Sequence, residues 1–368
     1  MKRMEWSVVA CNSPQCRAHP VSVGRRRLLG AGIAGSALAT GRFTATAGAL
    51  LAPLAQAQNH GNRIDIHHHL LPPDYIQAAA DARTGERAPA WTVAQSLAEM
   101  DRNGIATAVV SLTQPGVWIG DHSQAAKLAR AANEYAARMA QDHRGRFGSF
   151  AALPLPDIDA SLREIEHAMD TLHADGIGLM TSYENKWLGD RTFWPVMEEL
   201  NRRRAVIYTH PLGNDCCKAI QPDIAPSASE YATDTTRTIA SVVFQGTAAR
   251  FPDIRWIFSH GGGTMPFLLS RFQRLEATMQ ERSARLPKGL LHELRKFHYD
   301  TAQANHPGAL DALLRLVPVS QVLFGSDFPF RTAQEEVSGL AARGFAPAEL
   351  QAIEHDNARR LLPRAGRV

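Results

Sequence analysis

Residues 63–73 read RIDIHHHLLPP, an apolar alternating run that ends in three consecutive histidines and a proline pair. An extended chain points successive side chains to opposite faces, so His67 and His69 share one face and His68 takes the other. Two imidazoles thus aim at one point at the end of a strand, which suits a metal. His68 is expected to pack or to support the pair from behind.

Further β-rich runs follow at 105–113, 147–154, 176–183, 205–211, 254–260, 297–302 and 322–327, each separated from the next by a mostly helical stretch. Eight strands alternating with helices predict an α/β fold, a (β/α)8 TIM barrel. The helices carry readable signals. SQAAKLARAANEYAARMAQD starts at Ser123, DASLREIEHAMDTLHADG ends in a glycine able to take a left-handed C-cap, and DTTRTIASVVFQGTAARFP closes at Pro252. An open doubly wound sheet is the competing architecture, but no Gly-x-Gly-x-x-Gly follows the first strand.

A barrel builds its active site at the C-terminal ends of its strands. Strand one ends in His67 and His69, strand five in His210, strand six in His260 and strand eight in Asp327. Any one of these taken singly reads as a solvent-facing or hydrogen-bonded residue. Together they bring five metal-competent or titratable groups to one rim, and that convergence predicts a metal site. Asp65 is expected to support the pair by hydrogen bonding, Asp300 to orient a ligand, and Asp234 to cap a helix N-terminus. Gly261, Gly262 and Gly263 lack the Lys-Ser/Thr of a phosphate loop and read as a tight turn. Trp91, Tyr183 and Trp187 sit in or beside expected loops where they could cover a substrate ring, and Arg83, Arg87 and Arg331 are candidate cations for an anionic substrate.

The composition, 45% hydrophobic and 21% charged over 368 residues, is that of a globular protein. Its formal charge of +4 misleads, because residues 1–57 hold seven Lys/Arg and one acid, leaving 33 basic against 35 acidic residues in the rest. The basic footprint of a nucleic-acid binder is therefore missing from residues 58–368. Residues 1–57 resemble a twin-arginine signal peptide: three arginines, 25–27, precede a Gly/Ala-rich run that ends at the small-residue pattern Ala55-Gln56-Ala57. That reading sends residues 58–368, the single catalytic domain, to the periplasm or beyond. The alternative is a start codon assigned too far upstream, with the protein cytoplasmic. Arg42 interrupts the apolar run, which is too short to span a bilayer. Cys216 and Cys217 are adjacent and imply no disulfide framework.

IDIHHH, YTHP, FSHGGGTMPFLLSRF, LFGSDFPF and NARRLL together resemble the amidohydrolase-related decarboxylases typified by 2-amino-3-carboxymuconate-6-semialdehyde decarboxylase. HHHLLPPDY, MDRNGIATAVVSL and LPLPDIDASLREIEHAMDTL are most similar to the 6-methylsalicylate decarboxylase-like branch. The resemblance covers about residues 62–363. It implies His67, His69, His210 and Asp327 as ligands of one divalent metal, zinc foremost or manganese, and His260 as the acid/base, with Asp327 able to relay a proton. It also implies non-oxidative decarboxylation of a small aromatic or enol carboxylic acid by a chain that forms homodimers. Binuclear relatives bridge their metals with a carboxylated lysine, and neither GIGLMTSY nor AVIYTH contains one, which favours a single metal. The same residues would also serve a metal-dependent hydrolase of a lactone or cyclic amide. An exported metal-binding protein without catalysis is the third class, and a spare His260 beside the ligands argues against it.

Overall fold

The structure, a computed structural model, describes residues 61–82, 90–213 and 223–366. The expected signal peptide, Arg83, Arg87 and the Cys216-Cys217 pair lie outside the described residues. Eight strands form one sheet in sequence order: β1 (Arg63–His69), β2 (Ile105–Ser111), β3 (Phe147–Ala152), β4 (Gly176–Met180), β5 (Val206–His210), β6 (Arg255–Phe258), β7 (His298–Asp300) and β8 (Val322–Leu323). Every neighbouring pair is parallel. The segment after β8 returns to β1 through Ile66 N to Phe324 O at 3.0 Å, His69 N to Phe328 O at 2.8 Å and Asp327 N to His67 O at 2.8 Å. The sheet therefore closes on itself as a (β/α)8 barrel, which removes its edges.

Every expected strand after the first ends early, and in three the backbone shows why. Strand four breaks after Met180, and Ser182–Tyr183 pairs antiparallel with Lys186–Trp187 across Glu184 and Asn185, both left-handed at φ 48° and 62°. Strand six stops at Phe258, because His260, Gly261, Gly262 and Gly263 all have positive φ. Strand eight is regular only over Val322–Leu323, since the chain then swings across to pair with β1. The helix expected from Ser123 spans His122–Asp142. Asp121 accepts from Gln124 N at 2.7 Å at the head of helix His122–Asp142, and Asp157 accepts from Ala160 N at 2.9 Å at the head of Ile158–Glu166. Gly176, expected as a C-cap, instead opens β4, where a Cβ would lie 2.6 Å from Val206 O; the left-handed residue is His173 at φ 57°.

Ile64, Ile66, Val109, Phe150, Val206, Tyr208, Ile257 and Leu323 form one buried cluster. Six strands contribute to it, so it fills the barrel interior. Strict alternation would then turn His67 outward beside Asp65. Instead β1 slips register between Asp65 and His68, and Ile66 and His67 both face inward. No helix among the described residues is long and apolar enough to cross a membrane.

At the N-terminal end of β7, away from the ligand cluster, burial and the nearby Arg360 and Arg255 push the His298 imidazole down to about 4. The unfolded chain takes up this proton near pH 6.5 and the folded chain only near 4, so its contribution is complete above 6.5 and is lost as pH falls between the two. Linkage puts the loss at up to about 3 kcal/mol. Denaturant titrations of wild type and His298→Gln across that window should show wild type losing stability faster. Parallel curves would remove His298 from the acid response.

Candidate active site

The C-terminal ends of β1 and β5 and the turns after β6 and β8 bring all five expected groups together. His69 Nε2 lies 2.9 Å from Asp327 Oδ1 and 3.3 Å from His67 Nε2, and His67 Nε2 lies 3.3 Å from Asp327 Oδ1. The His210 ring centroid is 4.8 Å from that of His69 and 5.4 Å from that of His67. His260 Nε2 stands 3.6 Å from Asp327 Oδ2. One donor atom each from His67, His210, His260 and Asp327 falls within 4.8 Å of the others. Both ring nitrogens of His260 lack a hydrogen-bond partner among the described residues although they are shielded from water. An imidazole left unpartnered on both nitrogens in the wall of a cavity is placed to meet a ligand.

Carboxylates behind the cluster fix its geometry. Asp300 accepts from His67 Nδ1 at 2.9 Å, Tyr208 Oη at 3.2 Å, and the backbone N–H groups of His260 at 2.8 Å and Ala302 at 3.1 Å. One side chain thereby sets both the His67 ring and the entry of the chain into His260. Asp65 does the same on the outer face, accepting from His67 N, Ser326 N, Ser326 Oγ and His68 Nδ1. His68 faces Ser96 Oγ at 2.9 Å on its other nitrogen, away from the cluster. His260, Gln303 and Asp327 have left-handed backbones at φ 55°, 53° and 63°, an unfavourable state for residues with a Cβ that concentrates at functional sites. Gly325 is required between them, since a Cβ there would lie 2.7 Å from His67 Cβ.

The electrostatics ask for a cation. Burial pulls the His67 imidazole down, but the carboxylates of Asp300 and Asp327 outweigh it and push the group up to about 10. Burial holds His69 below its ordinary value, and burial with neighbouring imidazoles holds His210 well below. Burial would raise Asp327, yet the charge on His67 and the imidazoles of His260 and His69 around it hold it well below the carboxylate range. Two buried carboxylates thus draw positive charge onto a histidine. A divalent ion meets the same demand, and imidazole nitrogens with a carboxylate oxygen are its natural donors.

Residues 64–364 match the family model described as amidohydrolase. The chain belongs to the amidohydrolase family. An Aspergillus niger protein named decarboxylase yanB is 37% identical to this amidohydrolase over 82% of the chain and 88% of its own length. A 6-methylsalicylic acid decarboxylase of Penicillium expansum is 35% identical over 73% of the chain and 85% of its own. A dihydroxybenzoic acid decarboxylase from Polaromonas sp. JS666, solved with manganese and 2-nitroresorcinol, shares the fold at a TM-score of 0.73 and 20% identity, over 82% of this chain and 97% of that one.

The amidohydrolase site opens into a cavity of about 150 Å³ lined by Gln114, Ser227, Tyr231, Gln303, Phe330 and Arg331 together with His210, His260 and Asp327. Of the four expected substrate contacts among the described residues, Arg331 alone is there. Trp91 is buried and donates its indole N–H to Ser96 at 2.9 Å. Tyr183 is buried, accepts from Met180 N at 3.0 Å and packs edge-on against Phe193. Trp187 donates to Asp234 at 2.9 Å. None of the three aromatics is part of the cavity lining. Asp234 is not a cap: its helix begins four residues earlier, at Glu230, and the buried carboxylate takes N–H and O–H groups from Leu212, Trp187 and Thr181.

Gln114, Tyr231 and Gln303 escaped the sequence reading. Gln114 Nε2 donates to Tyr231 Oη at 2.9 Å, and Gln303 Nε2 donates to Asp327 Oδ2. An amide carries no mark in the sequence that separates such a position from a surface one. The signal that would have found Gln303 is its place three residues beyond Asp300, in the turn that leaves β7.

Proposed function

We propose that this chain is a metal-dependent carboxy-lyase that removes carbon dioxide, without redox chemistry, from a small aromatic acid of the 6-methylsalicylate type. The observation that carries the reading is the unpartnered His260, set beside the His/Asp cluster on the wall of a small cavity that also holds Arg331. Relatives above 30% identity, the yanB protein and the Penicillium expansum enzyme among them, bear the name decarboxylase, which favours the lyase over a hydrolase.

His67, His69, His210 and Asp327 would hold the ion. When bound, a divalent cation supplies Lewis-acid charge for the substrate's oxygens. Three imidazoles and one carboxylate suit zinc, while the Polaromonas enzyme holds manganese, so metal analysis of the purified protein selects between them. The Arg331 guanidinium offers a forked donor to an anionic group. Phe330, edge-on to His69 at 5.3 Å between centroids, gives the ring an apolar wall. His260 carries a proton on the nitrogen that faces the cavity and delivers it to the ring carbon bearing the carboxylate. That carbon becomes tetrahedral, its bond to the carboxylate breaks, the electron pair returns to the ring and carbon dioxide leaves. Asp327 Oδ2 stands where it stabilises the imidazolium before transfer, and Asp300 holds the His260 backbone throughout.

The test is a panel of hydroxybenzoates, including 6-methylsalicylate, and of lactones, offered to the metal-replete protein with carbon dioxide and product mass followed together. Release of carbon dioxide from a 2-hydroxybenzoate is expected. Addition of water to a lactone, with no carbon dioxide from any acid, would assign the site to hydrolysis.

A further inference from the structure

A polar cleft of about 280 Å³ lies beside the active-site cavity, lined by Gln303, Asn305, Ser326, Arg331, Glu335 and Glu336. It shares Gln303 and Arg331 with that cavity, and its Ser326 directly precedes Asp327. Gln303, Arg331 and Glu335 are exposed, so the cleft meets solvent. Glu336, on helix Ala333–Arg343, is only 2% exposed, and its Oε1 has no hydrogen-bond partner among the described residues. The cleft has room for several water molecules, at roughly 30 Å³ each, and the buried Glu336 forms part of its wall. Burial holds the Glu336 carboxyl well above the usual carboxylate range. Asp300 and Asp65 push the same way, against hydrogen bonds to Thr301 and Asn305. Arg331 and Glu335 are the other charged groups on the cleft.

Decarboxylation consumes one proton per turnover, because a carbon–carbon bond breaks, a carbon–hydrogen bond forms and carbon dioxide departs. The donor must recover that proton from solvent. A ring seated against His260, Phe330 and Tyr231 stands between the donor and water at the front. We propose that the side cleft is the proton-return route of the enzyme, with Glu336 as the relay carboxyl between solvent and the His260–Asp327 pair. Glu336 passes its proton inward through water in the cleft and takes another from solvent, with no net change in itself. The inference rests on the decarboxylase reading. Glu336 acts through other groups and touches no substrate.

The variant Glu336→Gln keeps the shape and removes the exchangeable proton. Its kcat is expected to fall at least tenfold with KM unchanged, and the solvent deuterium isotope effect on kcat to rise above that of wild type, with Glu336→Asp restoring part of the rate. Independently of turnover, infrared spectra should show a protonated-carboxyl band in wild type that is missing from Glu336→Gln. Wild-type kcat and isotope effect in Glu336→Gln would overturn the proposal, as would a fall in kcat with no change in isotope effect, which marks a structural role. Should Glu336→Gln fail to fold, Thr332, which also lines the cleft and is exposed, offers a second variant: Thr332→Phe plugs the cleft, and the same two readouts decide. A wild type that releases no carbon dioxide refutes the decarboxylase reading and the relay with it. A decarboxylating wild type beside an unaltered Glu336→Gln refutes the relay alone.

Discussion

The His260→Ala enzyme is expected to keep one equivalent of metal and to lose about 10²- to 10⁴-fold in kcat, the range for removing a general acid. The geometry makes this a sharp test, because it offers two overlapping donor sets. His67, His210 and Asp327 are common to both, and either His69 or His260 completes four. The mutual distances group His260 with the other three, while the shorter contact to Asp327 belongs to His69. Its Nε2 lies 2.9 Å from Asp327 Oδ1, the oxygen that also faces His67, whereas His260 stands 3.6 Å from the other oxygen, Oδ2. Asp327 thus faces His67 and His69 with one oxygen and His260 with the other. Metal content by elemental analysis and kcat should be measured on His260→Ala and His69→Ala together. Metal retained in the first and lost in the second is the expected pattern. The reverse pattern would make His260 the ligand and remove it as proton donor.

The barrel was legible because its signals are local and repeated: eight short apolar runs, mostly helical stretches between them, and polar residues where the runs stop. Convergence of the five site groups followed from topology, since parallel strands present all their C-terminal ends to one rim. What escaped was set by tertiary contacts. Alternation correctly separates His68 from His67 and His69, yet would misplace Ile64 and Ile66, because the slip of register in β1 depends on the partner strand. Asp234 precedes a Thr-rich apolar run and reads as a cap. The helix begins earlier, and the aspartate is buried to tie Leu212, two residues after His210, to the hairpin at Trp187. The aromatics Trp91, Tyr183 and Trp187 went astray for a related reason. A loop-adjacent aromatic has two directions open to it, and sequence does not show that all three turn away while Tyr231 and Phe330 line the cavity with an arginine and two amides.

The His67→Ala enzyme is expected to hold well under half an equivalent of metal after dialysis and to have no measurable turnover. His67 is the centre of the cluster: its Nε2 faces both His69 and Asp327, its Nδ1 is held by Asp300, and it is fully buried. Removing it deletes a donor and also leaves Asp300 and Asp327 buried without the group that balances them, a situation that costs about 3–5 kcal/mol when one partner of a buried pair is lost. The variant should therefore melt earlier than wild type when both are stripped of metal, which separates lost charge balance from lost metal. Asp300→Asn probes the same link from outside. It keeps His67 in place and should weaken metal binding by about 10- to 100-fold, less than the loss of the ligand itself. If His67→Ala retains a full equivalent, the ion sits elsewhere and the carboxylate pair serves only to hold a protonated histidine. If Asp300→Asn binds metal as tightly as wild type, the ring of His67 is fixed by the barrel rather than by its hydrogen bond.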